Sequence, residues 1–311
     1  MKFVIDAEWA GLTVKKVLFD RLDFSRKAVT SLKTKEKGIL VNGERKTVRC
    51  VLKAGDELSL DLRDGENSAR VRPAPGPIDI LYEDEHFLSV NKPPFMAVHP
   101  SKKLQDDTLA GRILYHRAPL VFRAAGRLDK NTSGAVICSK NKVVSDHFTR
   151  LILSHAIRKE YLAILEGKGE LPPEGVIDLA IRRSRESYIT RECFPADETT
   201  PPSERAKTEY RLLVKNGDHF LVLASPVTGR THQLRAHFSA LGFPILGDTL
   251  YGKASELIPR QALHALRLSF RHPETGEEMK IFAPLHGDFL EAVKTLFGTE
   301  GEKAVEALKF S

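Results

Sequence analysis

The chain has 311 residues, 41% of them apolar and 29% charged, with 48 lysines and arginines against 41 aspartates and glutamates for a formal net charge of +7. That composition, with 16 phenylalanines, supports a packed core and excludes wholesale disorder, and the length permits two domains without requiring them. A pI near 9.2 suggests an anionic partner.

No run of about 18 apolar residues offers a membrane span. Near the N-terminus, Asp6 and Glu8 interrupt the apolar stretch, and with no signal segment the expected address is the cytoplasm. Cys50, Cys138 and Cys193 are odd in number and far apart. They fit neither a disulfide framework nor a metal knuckle, and read as reduced thiols.

The charge is unevenly placed. Residues 1–72 carry 16 basic and 11 acidic side chains, a net +5, while the other 239 carry 32 and 30, a net +2. Residues 26–53 alone hold nine basic side chains (Arg26, Lys27, Lys33, Lys35, Lys37, Arg45, Lys46, Arg49, Lys53) against two acidic ones. A helix is expected over 13–22, then a second over 26–37, capped by Ser25, striped by Ala28, Val29 and Leu32, and stopped at Gly38. Ile39–Val41 leads into Asn42-Gly43, a strong hairpin signal. Ala54-Gly55-Asp56 is a further turn, and Leu58, Leu60 and Leu62 alternate as in a half-buried strand. Residues 1–62 therefore read as a compact α+β module.

Residues 63–77 (RDGENSARVRPAPGP) lack apolar periodicity and carry three prolines and two glycines. They read as a linker, which makes 78–311 the second domain. Beyond it, strands are expected at 78–82, 87–90, 134–139, 159–165, 207–214, 219–224 and 263–270, and helices at 107–117, 141–155, 231–241 and 287–297. Adjacent strands interrupted by isolated helices indicate an α+β fold with a mixed, largely antiparallel sheet. The absence of a glycine-rich phosphate loop argues against a nucleotide cofactor.

Three stretches could carry chemistry. GRLDKNTSG, residues 126–134, holds one carboxylate, Asp129, although these residue types also serve tight turns. In PVTGRTHQLRAHFSALGFPILGD, residues 226–248, Gly229 and Thr231 suit a turn into a helix whose buried stripe is Leu234, Phe238 and Leu241. Arg230 precedes that helix; His232 and His237 are five apart, which does not favour a zinc site. In KEYLAIL, residues 159–165, Tyr161 shares a face with Lys159 and Ala163, although a tyrosine in a strand usually serves packing.

The serine-arginine-lysine helix start, the basic helix and the GILVNG hairpin resemble the small RNA-binding domain named after ribosomal small-subunit protein S-four. Downstream, Asp129 in RLDxxTSG, Tyr161 in KxYxAxxxG and Arg230 in TGRTHQLRxH resemble the signatures of the RluA/RluD-type pseudouridine synthases. ILYEDEHFLSVNKP at 80–93, GDxxYG at 247–252 and LHALRLSFRHPETGE at 263–277 extend that resemblance over residues 78 to about 285. It implies a pseudouridine synthase fold, an RNA partner of ribosomal or transfer type, no cofactor, no metal and a monomer. It also implies roles: Asp129 as nucleophile, Tyr161 beside the base, Arg230 paired with Asp129, and Arg127 filling the gap left by a flipped uridine. In the N-terminal module, Arg26, Lys27, Lys33 and Lys37 would face the phosphates. One position departs from the pattern, since Gly126 stands where histidine usually precedes Arg-Leu-Asp, and altered local packing or RNA contact is expected there.

Pseudouridine formation breaks the glycosidic bond, turns the uracil and rejoins the ribose to its carbon 5, so no redox carrier or group donor is needed. A carboxylate can attack the ribose anomeric carbon or carbon 6 of the base. A neighbouring guanidinium keeps it ionised in a site that excludes water. A typical glycoside hydrolase needs two carboxylates, and the motif shows no second one beside Asp129. Two rivals stand: a silent RNA-binding ribosome-assembly factor on the same fold, and an N-glycosylase that releases free uracil.

Overall fold

The computed structural model describes residues 2–22, 24, 26–61, 71–100, 106–117, 122–187, 189–196 and 203–310. Ser25, the side chain of Lys27, Leu62, the linker residues 63–70, and residues 188 and 197–202 lie outside the described residues.

The N-terminal module runs β1 (Lys2–Val4), α1 (Val14–Lys16) passing into a π-helical turn (Val17–Arg21), α2 (Arg26–Thr34), β2 (Ile39–Val41), β3 (Glu44–Arg45) and β4 (Glu57–Leu60). Thr13 caps α1 by accepting a hydrogen bond from the amide of Lys16. The four strands form an antiparallel sheet in the order β1-β4-β2-β3. Asn42 and Gly43, at φ 53° and 79°, close the β2–β3 hairpin with the two positive φ angles that its tight turn requires. Ala28, Val29 and Leu32 of α2 pack with Ile39, Val41 and Leu58. The helix is shorter than expected. It ends at Thr34 because Gly38 folds back so tightly that a Cβ there would lie 1.9 Å from the carbonyl oxygen of Leu32. Lys37 therefore stands in the turn, exposed, while Arg26 and Lys33 are exposed on the helix.

The second domain continues with β5 (Ile80–Glu83), β6 (Phe87–Lys92), α3 (Leu109–Arg117), β7 (Arg123–Ala124), β8 (Ser133–Ser139), α4 (Lys142–Leu153), β9 (Arg158–Glu166), β10 (Glu174–Arg183) and β11 (Arg191–Pro195). After these come β12 (Glu204–Asn216), β13 (His219–Pro226), α5 (Gln233–Ala240), β14 (Leu263–Arg271), β15 (Glu278–Phe282) and α6 (Gly287–Ala307). The main sheet has the order β11-β10-β12-β13-β9-β14-β8-β6-β5, with β15 on β14 and β7 on β8. Its pairings are antiparallel except for β14 with β8. The mixed, largely antiparallel α+β architecture is thus the observed one.

In the second domain four strands were not expected: β7, β10, β11 and β15. β7 is only two residues long, and the other three each carry charged residues and a partly exposed burial pattern that blurs the alternation of a half-buried strand. Leu241 also departs from expectation: it is the C-cap of α5 and 40% exposed, so the buried stripe ends at Phe238. The last helix runs on to Ala307 past Gly298, whose φ of 53° and ψ of −144° break the helical path just beyond the expected end.

The parallel contact of β8 and β14 sets the centre of the sheet. Ala265 lies opposite Gly134, and a Cβ on Gly134, at φ 112°, would come within 2.2 Å of the carbonyl oxygen of Ala265. Only glycine fits this approach. Gly134→Ala should therefore destabilise the fold by ~3 kcal/mol or more, through backbone strain and forced strand separation. Urea denaturation measures this, and a loss below ~1 kcal/mol would mean that the sheet yields at this point.

Candidate active site

Asp129 lies in the loop between β7 and β8, and that loop is held from below by polar groups that are themselves buried. Lys92, at the end of β6 and fully buried, donates to the carbonyls of Pro93, Met96 and Lys130 at 2.8, 2.9 and 3.1 Å. Burial and the nearby Arg260 push its pKa down to about 7. Arg260 grips Asp288 through two hydrogen bonds of 2.6 and 2.9 Å and donates to the carbonyl of Asn131 at 3.1 Å. Gln261 donates to the hydroxyl of Thr132 at 3.1 Å, and the Thr132 amide closes the turn onto the Asp129 carbonyl at 3.1 Å. Three successive loop residues are therefore each fixed by a different buried donor.

The side chain of Asp129, 22% exposed, accepts a hydrogen bond from Nη1 of Arg235 at 3.1 Å. Nε and Nη2 of Arg235 make a two-pronged ion pair with Asp248, both contacts at 2.7 Å, and Asp248 is fully buried. The ring of Tyr251 lies 5.2 Å from the guanidinium carbon, and its hydroxyl meets Nδ1 of His232 at 3.0 Å. Nε2 of His232 is 3.7 Å from Asp129. Burial lowers the pKa of His232, and the charge of Arg235 adds to that, against the pull of Asp129.

This arrangement corrects two expectations. Arg230 does not pair with Asp129; its Nη1 bonds Glu204 at 2.6 Å. The partner of Asp129 is Arg235, because the turn ahead of α5 brings the Arg230 guanidinium to Glu204, on the exposed side of the cavity. Gln233 fixes that turn, accepting from the Arg230 amide and the Thr228 hydroxyl and donating to β12 at Lys207 and Thr208. His232 completes it in the left-handed region, at φ 57°, a conformation that costs a non-glycine residue on the order of 1 kcal/mol. A second carboxylate, Asp248, does come near Asp129. It is walled off behind Arg235 and fully buried, so it is not the free partner of a hydrolase pair.

Tyr161 stands on β9 and, with Asp129, Arg127, Arg230 and Arg235, lines a cavity of about 200 Å³. Its hydroxyl pKa is raised by burial and by the charge of Asp129. Arg127 is exposed at the same cavity. A larger groove, about 960 Å³, includes Arg158 and Glu160, the β9 neighbours that point away from Tyr161, and holds none of the expected catalytic residues. Its Glu160 is already paired with Arg267 at 2.5 Å. Arg26, Lys33 and Lys37 belong to the N-terminal module and do not line the cavity.

Sequence reasoning missed Arg235, Asp248, Tyr251 and His232 as parts of the site, although the GDxxYG stretch contains two of them. Strand β11 also reaches it, since the Arg191 amide donates to the Tyr251 hydroxyl at 2.7 Å. Among the described residues, no group of three His, Cys, Asp or Glu side chains could hold a metal ion.

A domain whose mixed sheet presents one cavity carboxylate, held by a buried guanidinium and flanked by tyrosine, defines a class, and comparison with known proteins agrees. The profile described as RNA pseudouridylate synthase matches residues 86–240, and that described as RluD ribosomal pseudouridine synthase N-terminal domain matches residues 1–58. The chain belongs to the RNA pseudouridine synthase family and is an isomerase that converts uridine in RNA to pseudouridine. It is 37% identical to the Bacillus subtilis RNA pseudouridine synthase YjbO over 91% of this chain and 99% of that one. It is 32% identical to ribosomal large subunit pseudouridine synthase D of Vibrio cholerae, over 88% of this chain and 87% of the other. Among solved structures, human RNA pseudouridylate synthase domain containing 1 superposes with a TM-score of 0.56 at 32% identity, covering 68% of this chain and 86% of that one.

The two arginines predict opposite outcomes. Arg235→Leu strands a fully buried Asp248 and should cost ~3–5 kcal/mol of stability together with turnover. Arg230→Leu removes a partly exposed pair and should cost ~1 kcal/mol or less. Urea denaturation of the two variants, with uridine isomerisation measured beside it, checks this; equal losses would contradict the pairing.

Proposed function

We propose that this chain isomerises a uridine of large-subunit ribosomal RNA, with Asp129 as the covalent nucleophile, and that it acts as a cytoplasmic monomer. The observation that carries this reading is the Asp129–Arg235 contact at 3.1 Å on a cavity shared with Tyr161. A covalent nucleophile must stand in a fixed position at the cavity, and the guanidinium holds the Asp129 carboxylate there. Tyr161 packs against the flipped base, and Arg127 enters the gap that the base leaves in the RNA. Flipping costs a few kcal/mol, which contacts to the backbone offset. The choice of ribosomal RNA is supported by the name of the Vibrio cholerae relative and by the match of residues 1–58.

Among the described residues, no helix is long and apolar enough to cross a membrane. The exposed Arg26, Lys33 and Lys37 give the N-terminal module a cationic face, and in this reading they, with Lys27, supply affinity for RNA phosphates. A silent assembly factor would bind in the same way without turnover, and an N-glycosylase would free the base.

With RNA carrying tritium at carbon 5 of uracil, the wild type should release label while the base stays attached to the RNA, and Asp129→Asn should release none. Mapping host RNA with and without the protein should show a pseudouridine lost from large-subunit ribosomal RNA. Label release by Asp129→Asn, free uracil as product, or a loss confined to transfer RNA would each overturn the corresponding part. Separately, replacing Arg26, Lys33 and Lys37 together by glutamine should weaken RNA binding and make the slope of log K against log salt shallower by ~2. An unchanged slope would take the module out of the interface.

A further inference from the structure

We propose that Lys159 is a phosphodiester-binding residue of the cavity, gripping the RNA backbone beside the flipped uridine; this rests on RNA being the substrate. Lys159 and Tyr161 lie two residues apart on β9 and line the same cavity as Asp129. Four cations line that cavity, and two are spoken for: Arg230 by Glu204, and Arg235 by Asp129 and Asp248. Among the described residues, the side chains of Lys159 and Arg127 have no hydrogen bond or ion pair. Lys159 is half-buried, and burial is what lowers its pKa. An ammonium that gives up water without gaining a partner is costly, and a bound anion is what would repay that loss.

The position of the ammonium shows where the anion would come. A Cβ on Gly126, at φ 92°, would lie 3.2 Å from Nζ of Lys159 and 4.0 Å from Cδ1 of Ile152. The lysine head thus occupies the space where a side chain at 126 would begin. Gly126 and Arg127 are both exposed, so this side of the cavity is open, and glycine lets a nucleic-acid backbone approach closely. A nucleotide whose base reaches Asp129 trails its backbone through that opening. The phosphodiester is the group of RNA that carries a full negative charge, and it meets the unpaired ammonium there.

The test uses the full-length protein and a large-subunit ribosomal RNA fragment containing the mapped uridine, assayed by tritium release. Lys159→Met should raise KM about tenfold, with the smaller effect on kcat, and should make the salt dependence of log kcat/KM shallower by ~0.7. A scan of single neutral methylphosphonate linkages around the uridine should find one that slows the wild type about tenfold and slows Lys159→Met less than twofold. Neither Lys159→Met nor Lys159→Gln should melt below the wild type, because both remove a poorly solvated charge. Equal sensitivity of both enzymes at every linkage, an unchanged salt slope, or a melting point lowered in both variants would overturn the proposal. Turnover of the unmodified fragment by the wild type reports separately on whether RNA is the substrate.

Discussion

The guanidinium of Arg235 is shared by two carboxylates that have opposite surroundings. Asp248 is fully buried and takes both of its oxygens' worth of contact, so Arg235 is locked in position by a partner that cannot leave. Asp129 takes the remaining prong and faces the cavity. One cation against two anions leaves the trio with a net negative charge, and that charge is presented on the exposed member. An arginine suits this arrangement because its planar fork can serve both partners at once, which a lysine ammonium on a flexible stem would do less rigidly. Tyr251 then closes the remaining face of the guanidinium and connects it to His232.

The loop beneath Asp129 obeys the same logic with backbone groups in place of side chains. Lys130, Asn131 and Thr132 are polar or charged and would be free to rearrange at a surface, but Lys92 reaches them from one segment of chain and the adjacent Arg260 and Gln261 from another. Each of these donors is buried, and Lys92 and Arg260 are also tied to other partners. Position is therefore bought with desolvated polar groups, which are unfavourable unless every bond is made, so the loop has few alternatives of similar energy. The left-handed His232 on the opposite wall is the matching strained element, fixed by the hydrogen bonds that Gln233 makes around it.

Much of this could be read from the chain. The Asn42-Gly43 hairpin, the amphipathic α2 and the strands with continuous apolar runs, such as β8 and β13, follow from local rules, because their burial is one-sided or complete. Asp129 and Tyr161 were found through motifs and do share a cavity. Arg230 and Arg235 could not be told apart, since their roles depend on a three-residue turn held by Gln233 through contacts with β12, more than 20 residues earlier in the chain. Asp248 was quoted within a motif but given no role for a similar reason: its partner lies 13 residues away, and only the packing of α5 brings them together. Strands β10 and β11 escaped because they are stabilised by neighbours as much as by their own pattern.

Helix α4 spans the distance between the two parts of the molecule. Near its start, Val143 is 8% exposed within the apolar core of the N-terminal module; near its end, Ile152 lines the cavity. Nine residues separate them, a rise of ~13 Å along one rigid element. The helix works as a strut: one continuous backbone carries both the apolar contact with the module and a wall of the cavity, so a change of register in α4 would be felt at both ends.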